Sequence, residues 1–170
     1  MNSEFKLISA YDLEDNIFKL IDKDWMLITA GTRDHFNTMT ASWGHLGIIW
    51  NMPIAIAYIR PQRHTFGFAN ENKFYTLCFF GEEHRKALQF CGSKSGRDCD
   101  KVKETGLTPL VTENGNVYFE EARLVLECEK IYQDDLKKEN FLKPEVASKN
   151  YPKSDFHRFY MGKIVNVLAR

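Results

Sequence analysis

Apolar residues in this chain recur mostly in short runs with strand character, and few stretches keep a helical period. Trp25 to Ala30 is one such run. The turn-forming Gly31-Thr32-Arg33-Asp34 follows, and then Phe36 to Trp43, where Thr38, Thr40 and Trp43 favour β structure. The pair predicts a hairpin. Gly44 to Gly47 reads as a break, and Asn51-Met52-Pro53 as a turn into a buried strand over Ile54 to Ile59. Phe74 to Phe80 predicts another strand. Ala122 to Ile131 alternates, with Leu124, Leu126 and Cys128 on one face and Arg123, Glu127 and Glu129 largely on the other. Phe159 to Leu168 predicts the last strand.

The predicted helices are short. Asn16 is placed to cap a turn or two carrying Ile17, Leu20 and Ile21, and Thr65 to cap another running towards Asn70. His84 to Phe90 and Asp98 to Glu104 read as helices, the second ended by Gly106. Lys137 to Lys153 is charged, contains Pro144 and Pro152, and reads as an excursion over the surface. Six or more strands with scattered helices predict a mainly β fold, a closed or nearly closed antiparallel barrel with helical decoration. No linker or repeat divides residues 1–170, so one domain is expected.

Charge changes the picture by what it excludes. Lys plus Arg equals Asp plus Glu at 23 each, so the chain has no net field to attract nucleic acid or an anionic membrane. An anion bound here must be held by a local pocket. The opening Met1-Asn2-Ser3-Glu4-Phe5-Lys6 lacks a basic stretch followed by an apolar one, and no apolar run approaches the roughly 20 residues that span a bilayer. Cys78, Cys91, Cys99 and Cys128 form no CxxC pair, so reduced thiols, no metal site and a cytoplasmic setting are expected. Cys91 reads as a packing cysteine at a helix end, in spite of Lys94 and Arg97 nearby.

Three segments are rich in groups that meet anions or flat polar rings. In Asn37-Thr38-Met39-Thr40-Ala41-Ser42-Trp43, small hydroxyls sit beside backbone amides while bulky side chains alternate with them. An ordinary strand with solvated Thr and Ser carries the same pattern. Arg60-Pro61-Gln62-Arg63-His64-Thr65 leads from a strand into a helix, where Arg60, Arg63 and free N–H groups would meet a phosphate. Two solvated arginines and a cap fit it equally. In Cys91-Gly92-Ser93-Lys94-Ser95-Gly96-Arg97-Asp98, two glycines let a loop approach an anion, with Lys101 further on. A polar helix connection is the plain alternative. Neither GxxxxGK[ST] nor GxGxxG is present, which leaves a nucleotide P-loop and a Rossmann site without support.

Taken together, these segments resemble the flavin reductase-like family of FMN-binding split barrels, and within it the flavoredoxin-like branch. The resemblance runs in order through Trp25-Met26-Leu27-Ile28-Thr29-Ala30-Gly31, Asn37 to Trp43, Ile59 to Thr65, Ser95-Gly96-Arg97-Asp98, and His157 followed by Gly162. It implies a split β-barrel with a Greek-key-like antiparallel arrangement, a homodimer, and noncovalent FMN near the subunit interface. By resemblance, Asn37, Thr38, Met39, Thr40, Ala41, Ser42 and Trp43 lie along the flavin ring. Ile59, Arg60, Arg63 and Thr65 run towards the phosphate, and Ser95, Gly96, Arg97 and Lys101 enclose it. His157 matches a C-terminal histidine near the ring or the incoming reductant; a structural role at a strand start is the other reading. Related reductases that use NADH carry Gly-Asp-His before the late glycine, whereas here Asp155-Phe156 stands in place of Gly-Asp. The implied activities are therefore an oxidoreductase passing electrons from NAD(P)H through FMN, or an FMN electron carrier serving redox-protein partners. A split barrel holding another ligand, such as haem, is a third.

Overall fold

The computed structural model describes residues 4–170; residues 1–3, part of the opening read above for a leader, lie outside the described residues. Ten strands form among the described residues: β1 (Lys6–Ile8), β2 (Met26–Thr32), β3 (His35–Ala41), β4 (Gly44–Ile49), β5 (Met52–Ile59), β6 (Phe74–Phe79), β7 (Pro109–Val111), β8 (Val117–Phe119), β9 (Leu124–Asp135) and β10 (Arg158–Ala169). The main sheet is antiparallel and runs β3-β2-β6-β9-β10-β5-β4, with β1 added to β10. Among the described residues its two end strands, β3 and β4, do not pair with each other, so the sheet curls into a barrel left open on one side.

The strand interiors explain why the apolar runs lack clean alternation. Tyr75, Leu77 and Phe79 of β6 join the core inside the barrel, with Ile28, Met39, Leu124, Leu126 and Tyr160. Cys78 of β6 faces a second core outside the barrel, with Leu27, Val125, Phe119, Leu88 and Cys91. A strand buried on both faces reads as a continuous hydrophobic run. At β10, Gly162 is required by close approach: a Cβ there would lie 2.7 Å from both Cys128 Cβ and the Tyr75 hydroxyl. That hydroxyl donates to Ala55 O at 2.8 Å and Tyr160 O at 3.1 Å, tying β5 and β10 across the barrel.

Several expectations are met. The β2–β3 hairpin forms with Thr29 opposite Thr38. Asn16 caps α1 (Ile17–Lys19), its side chain accepting from Lys19 N at 3.1 Å. Others are corrected. Gly44 to Gly47 is no break but part of edge strand β4, whose hairpin with β5 turns at Trp50 and Asn51. Both turn residues have positive φ, 49° and 56°, as a two-residue turn matched to strand twist demands. Thr65 is not a cap but the first residue of α2 (Thr65–Glu71); the flanking His64 is already helical. The helix expected from Asp98 begins later, as α4 (Lys101–Thr105), because the Asp100 side chain accepts from Lys103 N; Gly106 ends it at φ 70°. The excursion folds α5 (Pro144–Asn150) onto the surface, opened by Pro144. The remaining helix, α3 (Arg85–Ser93), packs beside β3. Among the described residues no helix is long and apolar enough to cross a membrane.

Candidate functional site

Because β3 ends the sheet, its outer edge is free of strand partners, and consecutive residues of it can meet a ligand. Met39, Thr40, Ala41, Ser42 and Trp43 together line a cleft of about 230 Å³, closed by Tyr58, Arg60, Arg63 and His157. Beyond Arg63 the cleft continues into a second space of about 360 Å³, lined by Asn37, Thr65, Ser95, Gly96, Arg97 and Lys101, with Gln62 and His64. The first end is aromatic and the second cationic.

Lys101 defines the cationic end. Its side chain is buried, the residue 6% exposed, and Nζ donates to Thr38 O at 2.7 Å and Cys91 O at 2.8 Å. Burial pulls its pKa down to about 8, with Arg63 adding to the effect. Arg63 donates to Gly92 O at 2.9 Å, and Arg97 to Gln62 O at 3.1 Å. Among the described residues none of the three forms an ion pair with a carboxylate. Burial also lowers the pKa of Arg63, and His64 is lowered by burial and then by Arg97 and Lys101. Of the three only Lys101 is buried, Asp98 lines the same space without pairing to any of them, and a buried cation without a paired carboxylate is costly; each of the three retains unused N–H donors. The donor set fits a phosphate-like dianion. Gly96 is required there by close approach, since a Cβ on it would strike Asn37 Oδ1 and crowd His64.

Of the residues singled out by sequence, the structure gathers most along this cleft. Asn37 Nδ2 donates to Thr65 Oγ1 at 2.7 Å, locking β3 to α2. Three depart from their expected roles. The Ile59 side chain belongs to the barrel core and lines neither end, because alternation along β5 turns it inward. Thr38 faces outward from the barrel on the Leu27 side, its buried hydroxyl 2.8 Å from that of Thr29, and serves the site through its carbonyl. Arg60 lies at the aromatic end and not at the cationic one. Its guanidinium pairs with Asp155, donates to Asn150 O at 2.9 Å and stacks over Tyr151. Cys91 is fully buried, and burial pushes its thiol up to about 11. That is an inert packing residue.

At the aromatic end His157 sits 5.1 Å from Trp43 and 6.3 Å from Tyr58, ring to ring. Asp155 is held below its usual range by hydrogen bonds from Arg60 and Gln62. Phe156 turns away from the cleft and stacks on Tyr151 at 4.7 Å, beside a cavity of about 880 Å³ under α5. Sequence reasoning missed Tyr58 and Tyr151. Tyr58 carried a signal, an aromatic two residues before Arg60; Tyr151 had none, being brought in by the excursion.

An open antiparallel barrel with a cleft, aromatic at one end and cationic at the other, along its edge strand is the split-barrel arrangement of flavin reductase-like folds. The chain belongs to the flavin reductase like domain family, whose model matches residues 20–170. Among solved structures it is similar to an FMN-binding domain of a flavin reductases-like enzyme from Shewanella baltica (12% identity, 99% of this chain and 78% of that one, TM-score 0.71). It is similar also to an FMN-binding protein from Thermus thermophilus with bound p-hydroxybenzaldehyde (18%, 97% and 82%, TM-score 0.68). A third likeness is to flavoredoxin from Methanosarcina acetivorans (20%, 86% and 68%, TM-score 0.67). A comparison with curated proteins finds no match.

Proposed function

We propose that the cleft binds FMN noncovalently and that the protein passes electrons from NAD(P)H through it to an acceptor. The observation that carries this reading is the buried Lys101 ammonium, with Arg63 and Arg97, at one end of a cleft whose other end is aromatic. Lys101, Arg63 and Arg97 would hold the phosphate, with Thr65, Ser95 and the Gly96 backbone around it. The β3 edge from Met39 to Ala41, with Ser42 and Trp43 just after it, would orient the ring and keep water from one side of it. FMN, when bound, supplies hydride and single-electron chemistry. The related proteins named as FMN-binding support the choice of flavin.

A second reading, an electron carrier serving protein partners without efficient NAD(P)H use, is favoured by Asp155 and Phe156. Asp155 is committed to Arg60 and Gln62, and Phe156 to Tyr151. We further propose a homodimer in a cytoplasmic setting. Ile48 and Trp50 on the β4–β5 hairpin are 59% and 57% exposed, apolar surface that a second copy would cover. Light scattering at twice the chain mass supports the dimer, and a monomer that binds FMN tightly overturns it.

The direct test is titration of the purified protein into FMN. Quenching of flavin fluorescence, and release of FMN and not FAD on acid treatment, are the expected results. A colourless protein that leaves FMN fluorescence unchanged overturns the flavin reading.

A further inference from the structure

Tyr151 and His157 are buried against each other behind the aromatic end of the cleft, 6% and 8% exposed. The Tyr151 hydroxyl lies 2.8 Å from His157 Nδ1. Such a contact admits two proton arrangements. If Nδ1–H donates to the phenol, the phenolic hydrogen needs an acceptor elsewhere. Among the described residues the Tyr151 hydroxyl has no other partner. That arrangement leaves a buried donor unpaired, which is costly. If the phenol donates, both groups are satisfied, and a neutral imidazole must carry its hydrogen on Nε2.

The surroundings keep the imidazole neutral. Burial, and then the Arg60 charge, bring its pKa down to about 4, against the opposing pull of Asp155. Tyr58 and Tyr151, the other titratable groups at the ring, are held in their neutral phenol form by burial. His157 Nε2 has no partner among the described residues and is not sealed from solvent, and its ring lines the cleft.

We propose that Tyr151 is a positioning residue that holds His157 as the Nε2–H tautomer, a neutral hydrogen-bond donor aimed at a carbonyl oxygen of the molecule that enters beside the β3 edge. This rests on the cleft being a redox site, and it narrows what enters: a planar molecule with a neutral carbonyl, whether the carboxamide of a nicotinamide donor or the ketone of a quinone-like acceptor. A carboxylate in that position would meet no imidazolium.

The test is nitrogen-15 NMR of the flavin-free protein at pH 7. The expected spectrum shows His157 Nδ1 as an acceptor and Nε2 as the protonated nitrogen; Nδ1–H as the major form overturns the proposal. Tyr151→Phe, which keeps the ring, is expected to release the tautomer towards a mixture, and an unchanged tautomer in that folded variant also overturns it. Nicotinamide and menadione are the two carbonyl probes, with nicotinate as the anionic match. Nicotinamide, menadione or both should shift the His157 Nε2 signal at least tenfold more tightly than nicotinate, and the responding probe identifies the donor or acceptor source. Nicotinate binding as tightly as either overturns the substrate class. Because the tautomer is read without flavin, failure of FMN titration with Nε2–H intact sinks the redox reading and leaves the Tyr151 assignment standing.

Discussion

Gly96 and Asn37 face each other across the cationic end of the cleft so closely that a Cβ on Gly96 would stand 2.0 Å from Asn37 Oδ1. Gly96→Ala must therefore push the Asn37 amide aside and strain its bond to Thr65. Loss of about one hydrogen bond predicts roughly fivefold to tenfold weaker FMN binding. Fluorescence titration of the variant checks this, with circular dichroism confirming the fold.

Arg63 is predicted to discriminate the flavins by their charge. Arg63→Ala removes a guanidinium from the phosphate end and also its bond to Gly92 O, which holds the end of α3. The second loss affects FMN and riboflavin alike. The first affects FMN alone and, at about 1.5–3 kcal/mol for a charged hydrogen bond, predicts an extra tenfold to hundredfold loss. Parallel titrations with the two flavins give the ratio; equal losses place Arg63 off the phosphate.

Reduction should separate donor from carrier behaviour. With Asp155 bound to Arg60 and Phe156 stacked on Tyr151, neither side chain is free to contact a nicotinamide. Slow reduction by NADH and NADPH in stopped flow, with prompt bleaching by dithionite, is the result the carrier reading expects. Rapid reduction by either nucleotide restores the plain reductase reading. Phe156→Asp should give no gain in NAD(P)H oxidation, since position 156 faces α5. It should lower stability by about 2 kcal/mol through lost aromatic packing, read from thermal melts.

Glu127 predicts an acid-sensitive fold. It is fully buried between the β7–β8 turn and β10, and its carboxylate accepts hydrogen bonds from Thr112, Asn114, Asn116 and Asn166. Burial alone would raise its pKa, but these four donors outweigh that and hold it below the usual carboxylate range. Its stabilisation is therefore full above the unfolded value of about 4.3 and is lost as pH falls through the lower folded value. Glu127→Ala should cost about 3 kcal/mol at pH 7 by stranding buried donors, and the deficit should shrink below about pH 4. Denaturant melts at the two pH values measure both.

Much of this molecule is legible in local pattern. Strands β2, β3, β5, β6, β9 and β10 follow from apolar runs that tertiary packing did not need to override. The three polar segments that line the cleft stand out by residue type alone, and their order along the chain carries the family. What local pattern leaves open is pairing over long separations. Arg60 and Arg63 look interchangeable in sequence, yet Arg60 is claimed by Asp155, 95 residues away, and only Arg63 reaches the cationic end. Gly44 to Gly47 became a strand because β5 lay beside it, and no propensity in the segment itself demands that. Lys101 is an ordinary helix residue until Thr38, 63 residues earlier, and Cys91 bury its ammonium. Sequence thus determined which residue types were available and on which strands. Tertiary structure alone decided which charges were neutralised within the protein and which were left for a ligand, because a charge's partner is set by distance in space and not along the chain.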